Sequence, residues 1–381
     1  MKKYDVIIIG CGAAGSMCAL NIHGKKVAII DSATKPAKKL LVTGNGRCNL
    51  TNINMKSCYF NQNIDKYLDK FEVEKTLKYF EDLGLETYSD DEGRVYPLSN
   101  SAKSVVDCIT AKLSQKADLF MEQKVQKIQK TKSGYEVITD KDTFVCNKLV
   151  VSTGGASENI LKDLDIEYKP FAPSLVALKC DNIKDLNGVK VSNVNVSVVT
   201  ASGKTHAERG EVLFKDGGVS GIVIFNLSAL FARDNNYNGE LTIDLLPDIT
   251  ENDLVAKLKT RKKLNVVLDK FFVGFFNNAL ANEILKQAKI NTNINSQNLT
   301  DEHISKLAQT IKGLQYNVCG YFDNNQVFSG GVKLADLTET FESNICPNLY
   351  FVGEICDIDG VCGGYNLQWA FTSGKIVGDS L

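Results

Sequence analysis

Residues 5–15 read DVIIIGCGAAG, an apolar run from Val6 to Ile9 that breaks into Gly10, Gly12 and Gly15 before a stretch of helix formers. A second apolar run, VAIID, ends on Asp31. This order predicts strand, tight turn, helix, strand and acid, the start of a parallel α/β sheet shaped to hold a dinucleotide. Gly10 permits the turn, Gly12 lets a diphosphate approach backbone N–H groups, Gly15 lets the helix close on the strand, and Asp31 can accept ribose hydroxyls. Ala13 and Ala14 open a helix whose N-terminus carries positive partial charge, and Ser32 follows the acid. Lys2 and Lys3 ahead of a mostly apolar stretch to Leu20 imitate a secretory signal, but Asp5 interrupts it and a signal gives no reason for the glycine spacing. The N-terminus is expected to be kept.

The far end carries LYFVGEICDIDGVCGGYNLQWAFTSGK at residues 349–375, again strand, glycine turn and helix. Two such turns at opposite ends predict one flavin-binding domain assembled from both. Gly353 and Glu354 then fall where a ribityl chain would run. Gly363 and Gly364 open the last helix through Tyr365, Asn366 and Leu367, and its N-terminus would stabilise an anionic reduced flavin at the N1/C2=O edge. A third loop, KKLLVTGNGRCN at 38–49, gathers Lys39, Gly44, Asn45, Gly46, Arg47, Cys48 and Asn49, which offers backbone amides, a fixed cation and polar tips for a diphosphate or a flavin ring. Val125 and the Thr153, Gly154 and Gly155 turn complete the candidate cofactor contacts.

Periodicity predicts helices over 72–83, stopped by Gly84, and from Ala102 to Leu113 behind Ser and Asn caps. Extended segments near 124–131, 135–139 and 143–148 form an antiparallel meander, followed by the strand LVVSTGG. Residues 188–199 alternate through Val189, Val191, Val194, Val196 and Val198, with further strands expected at 211–214, 222–226 and 240–245. Thr250 and Thr300 are expected to cap helices, with another at Ala279 to Lys289. The fold class is therefore α/β: a split Rossmann-like FAD-binding domain (1–170 and 321–381) with an antiparallel meander, interrupted by an insert (171–320) that is β-rich at 171–248 and helical at 249–313.

Lys+Arg of 44 against Asp+Glu of 45 leaves a net charge of −1, and this balance, without a concentrated basic tract, argues against nucleic acid and against an anionic membrane. The 11 cysteines without a secretion signal point to a reducing cytoplasm. Only three histidines, far apart, and no CxxC leave no expected metal site. Cys48 lacks the partner of a flavin disulfide reductase, and Cys356 with Cys362 reads as two packed thiols ahead of a redox pair. Arg47, Tyr96 and Tyr365 are the candidates for the catalytic cation and proton donor.

The stretches IIIGCGAAG, KKLLVTGNGRCNLTN, VYPLSNSAKSVVD, STGGAS, PSLVALK, EVLFKDGGVSG, GGVKLADLTETFESN and the C-terminal segment span nearly the whole chain. Together they resemble the FAD-dependent oxidoreductases of the aminoacetone-oxidase-like type, which include bile-acid enone reductases. The resemblance implies bound FAD and redox chemistry on a small organic molecule. It departs at Lys215 and Asp216, where the family has Thr-His, at Ala177 and Ile222 in place of prolines, and at Phe341 in place of methionine. The expected reaction is hydride transfer through flavin N5, with NADH or NADPH reducing an activated C=C bond. The alternatives are oxidation of a small amine or hydroxyl compound, an FAD-dependent RNA-modifying enzyme, and a non-catalytic flavin sensor.

Overall fold

The computed structural model describes residues 1–155, 158–323 and 327–381, so Ala156 and Ser157 of STGGAS lie outside the described residues. The chain divides into two compact units, Met1–Pro173 with Gln326–Leu381, and Ser174–Asn325.

In the first unit, strand Lys2–Ile9 pairs in parallel with Val27–Ile30 on one side and Thr143–Val151 on the other. Asp118–Phe120 extends the sheet beyond Val27–Ile30, and Leu349–Phe351 adds in parallel to Leu149–Val151. The expected separate strand LVV is instead the end of the third meander strand. Along Thr143–Val151 burial alternates while the strand pairs with Gly134–Thr139, then becomes continuous through Leu149, Val150 and Val151 where both neighbours are parallel. A parallel strand covered on both faces favours that unbroken apolar run. Helices Ala13–Asn21 and Tyr365–Ser380 come together through glycine: a Cβ at Gly374 would lie 2.4 Å from Ala14 O, and one at Gly378 2.5 Å from Cys18 O. Helix Val73–Asp82 ends at Gly84 with φ +86°, as its pattern requires. Helix Ala102–Lys116 follows Ser101, whose side chain makes no capping bond.

The second unit is a closed antiparallel barrel in the order Leu178–Cys180, Gly218–Ser220, Thr205–Lys215, Lys190–Thr200, Asn238–Asp244 and Leu314–Tyr321, which returns to the first. Its entering and leaving strands are thus neighbours, with Leu178 opposite Tyr321. The alternation of Lys190–Thr200 slips between Val191 and Val194, where the register shifts and Asn193 has φ +61°. The strand expected at 222–226 is a helix, Ile222–Arg233. A short apolar run carries no decisive period, and here Val223, Ile224, Leu227 and Phe231 are buried at helical spacing in the core of this unit while Ile222 is exposed. Thr250 and Thr300 do cap helices Glu251–Lys262 and Asp301–Lys312, the latter in a reciprocal box with His303. Asn277 caps Asn278–Gln287 between them.

Candidate functional site

The first glycine turn is tight where it meets protein and open where it meets solvent. Gly10 has φ +100°, and a Cβ there would lie 2.5 Å from Ser152 O; at Gly15 it would lie 2.1 Å from Gly10 O. At Gly12 it would meet nothing within 4 Å. Ser152 Oγ donates to Ile9 O at 2.9 Å and to Gly10 O at 2.7 Å, which locks the turn to the neighbouring strand. Sequence spacing gave Ser152 no role, because its partner lies 142 residues away. Gly12 caps helix Ala13–Asn21, so the amides of Ala13, Ala14 and Gly15 have no helical acceptor.

Asp31 is more committed than a ribose acceptor alone. Its Oδ2 accepts from Cys11 N at 2.6 Å and its Oδ1 from Ala33 N at 2.7 Å, with Ser32 exposed between. Glu122 and Gln123, just ahead of Val125, bond backbone carbonyls of the same segment at Ala33 and Asp31. Asp31→Ala is therefore expected to cost about 1–3 kcal/mol of stability even in cofactor-free protein, since two amides lose a charged acceptor. Thermal melting of the apoprotein checks this, and an unchanged melting point would leave the carboxylate with a ligand role only.

The second and third loops meet around Glu354. Lys39 Nζ lies 3.3 Å from Glu354 Oε2, Phe328 N donates to Glu354 Oε1 at 2.5 Å, and a Cβ at Gly154 would lie 3.3 Å from Oε2. Gly155 is pressed against the Phe328 ring, and Gly353 against Ala14. Thr153, which precedes these glycines, is half-buried.

The loop around 44–49 turns through left-handed backbone at Gly44, Asn45, Gly46 and Cys48. A Cβ at Gly44 would lie 2.7 Å from Asn49 N and 3.4 Å from Tyr96 Cε1; one at Gly364 would lie 2.4 Å from Thr51 O and 2.9 Å from Asn49 Oδ1. Loop, Tyr96 and the start of the C-terminal helix thus form one group. Asn52 Nδ2 donates to Gly363 O at 3.1 Å. Asn366 bonds Gly360 in both directions, Nδ2 to O at 2.8 Å and N to Oδ1 at 2.9 Å, and so holds its own turn. Leu367 is half-buried.

Arg47 and Tyr96 are paired: the guanidinium carbon lies 4.3 Å from the ring centroid and Nη2 is 3.5 Å from the hydroxyl. Burial raises the Tyr96 hydroxyl above its ordinary value, and the cations of Arg94 and Arg47 partly oppose this. Tyr365 is pushed up to about 12 by burial, with its ring 4.9 Å from Tyr59 and 6.0 Å from Phe60. Cys48 is pushed to about 12 by burial and Cys356 is raised by the same cause, so neither is a ready thiolate. All 11 cysteines are free.

These features fit an FAD. The open space over Gly12 suits a diphosphate. The buried Asn49 Oδ1 accepts no hydrogen bond from the described residues and lies beside Gly364 at the start of the last helix, which suits a ring N–H. No helix among the described residues is long and apolar enough to cross a membrane.

The profile of the HI0933-like protein Rossmann domain matches residues 4–380. The chain is 30% identical over 406 residues to the 3-dehydro-bile acid delta(4,6)-reductase of Clostridium scindens, covering 97% of each. It is 28% identical over 400 residues to the ribosomal RNA dihydrouridine synthase of Escherichia coli K12, covering 98% of this chain and 96% of that protein. In fold it is similar to the 3-ketosteroid-delta4-(5alpha)-dehydrogenase of Rhodococcus jostii RHA1, with a TM-score of 0.51 at 11% identity over 100% of this chain and 96% of the other. With its glycine turn, acid and paired end segments, the chain belongs to the HI0933-like Rossmann family and is an FAD-dependent oxidoreductase.

Proposed function

We propose that the protein reduces a C=C bond conjugated to a ring carbonyl, with electrons drawn from NADH or NADPH. The Arg47–Tyr96 pair beside the glycine-rich loop carries the reading, because such a reduction needs a proton donor at the carbon next to the carbonyl. Both relatives' names describe saturation of a bond of this kind, in a steroid ring and in uracil. Bound FAD supplies the electron pair. The residues that would hold it are the turn at Gly10 to Gly15, Asp31, the loop from Gly44 to Asn49, and the turn at Gly363 and Gly364. Tyr96 holds a proton at its hydroxyl, which burial keeps neutral, and Arg47 fixes the ring and adds positive charge nearby. A small organic enone is the first substrate class.

The test is anaerobic reduction with NADH and with NADPH, followed at the flavin band, then addition of a cyclic enone. Bleaching by a nicotinamide and recovery on adding the enone are expected. Bleaching followed by recovery only with oxygen would mark an oxidase, and no bleaching with either donor would remove the nicotinamide from the reading.

Arg47→Met keeps side-chain length and removes the cation. Either the flavin potential falls or FAD affinity drops, read by reductive titration against a reference dye and by cofactor binding. Wild-type values in both would reduce Arg47 to a ring contact of Tyr96.

A second reading, a uracil ring within RNA as the substrate, is favoured by a local run of charge that the whole-chain balance conceals. Residues 257–263 read KLKTRKK.

A further inference from the structure

The run begins inside helix Glu251–Lys262 and passes its C-terminal cap at Lys263. Cations in a last helical turn complement the backbone dipole, but one or two suffice, and further like charges repel. Two of the five have local partners. Lys259 pairs with Asp301 at 3.2 Å, and Arg261 donates to the carbonyls of Phe271 and Val273 while stacking 5.1 Å from the Phe275 ring centroid. Among the described residues Lys257, Lys262 and Lys263 make no ion pair, and the acidic side chains of the same helix, Glu251 and Asp253, sit in its first turn. Immediately after the run, Leu264, Val267 and Val273 are 57%, 51% and 54% exposed. Lys270 stands among them, paired among the described residues only to its neighbour Asp269 at 3.5 Å. Folding of this unit explains neither the unpaired cations nor the apolar side chains left in water.

We propose that the end of helix Glu251–Lys262 and the segment from Leu264 through the short helix Leu268–Phe271 to Val273 form a docking surface for RNA, an inference that rests on the uracil-in-RNA reading above. Unpaired lysines match a phosphate backbone, the Arg261–Phe275 pair is of the kind on which an unstacked base stacks, and Leu264, Val267 and Val273 leave apolar surface exposed in the same stretch of chain. A lipid surface fits less well. The helix buries Leu254 and Leu258 in its own unit and turns charge to solvent, so it has no apolar face to lay into a bilayer, and the exposed apolar residues are scattered before and after the short helix Leu268–Phe271.

The experiment uses the FAD-loaded protein and a fluorescein-labelled, uridine-rich RNA hairpin, with binding read by anisotropy across a salt series. Lys257→Gln, Lys262→Gln and Lys263→Gln together should weaken binding at least tenfold and lower the slope of log K against log salt by about 2–3, one increment per lost phosphate contact. The same charge change at the exposed Lys25, Lys112 and Lys132 should leave affinity within about twofold. Thermal melting and reduction of a cyclic enone should be unchanged in both variants. Equal losses in the two variants would reduce the effect to net charge and overturn the proposal. So would an unchanged affinity in the first, or binding to vesicles of anionic phospholipid in place of RNA. If the first variant alone loses RNA but the wild type never saturates uridine, the docking surface stands and the substrate reading falls. If uridine is saturated and the first variant binds as the wild type does, the reverse holds.

Discussion

Gly12→Leu is expected to yield a folded, colourless protein. Gly12 has φ −78°, which any residue adopts, and its Cβ would meet nothing within 4 Å, so the chain itself has no objection to a side chain there. The new isobutyl group would occupy the space over the amides of Ala13, Ala14 and Gly15. Losing two or three charge-assisted bonds to a diphosphate costs about 3 kcal/mol or more, at least about a hundredfold in FAD affinity. Gly10→Ala should fail differently. Its φ of +100° and the 2.5 Å approach to Ser152 O strain the turn itself, so the apoprotein should melt earlier by about 2–4 kcal/mol of stability. Melting curves of both apoproteins with FAD titrations separate the cases. A normal FAD affinity in Gly12→Leu would remove the diphosphate from this turn.

The second large effect is at Tyr96. Tyr96→Phe removes one oxygen from a buried ring that stays packed under Arg47, so FAD content and melting should change little while kcat for the reduction falls about 10²- to 10⁴-fold. The donor works only while protonated, so activity is lost as pH rises through the Tyr96 pKa. Burial holds that value above the ordinary 10.0, which predicts a flat rate through pH 9 and an alkaline limb beyond it. Arg47 lowers the value, so Arg47→Met should move that limb further up. An alkaline limb that stays in place in Arg47→Met, or full kcat in Tyr96→Phe, would assign the proton to another group.

What could be read in advance followed the range of the interactions. The Gly10 to Gly15 turn and Asp31 sit within one short unit whose geometry is set by neighbours in sequence, and the same holds for the Thr250 and Thr300 caps. The bulge in Lys190–Thr200 was passed over in a segment read as alternating, although the three-residue step from Val191 to Val194 marks it. Ser152 was hidden because it acts on a turn at the other end of the first unit's chain segment; Glu354 was legible as a candidate contact, but its ties to Lys39 and Phe328 were not, because those belong to two distant stretches. Helix Ile222–Arg233 was misread because the short apolar run at its start looks alike in strand and helix. The reading of no concentrated basic tract passed over residues 257–263, where five cations in seven residues vanish into a net charge of −1.

The pairing of Leu178 with Tyr321 bears on how the chain reaches its fold. The flavin-binding sheet is complete only when Leu349 lies beside Leu149, a contact between widely separated residues. If the barrel forms first, its own strands bring together the points where the chain enters and leaves it, and the open segment left to close shrinks about fourfold, a saving of about 1 kcal/mol in closure entropy. The inserted unit would then serve as a clasp during refolding, and variants that loosen its Leu178–Tyr321 seam would slow the return of flavin binding without touching a single residue of the glycine turns.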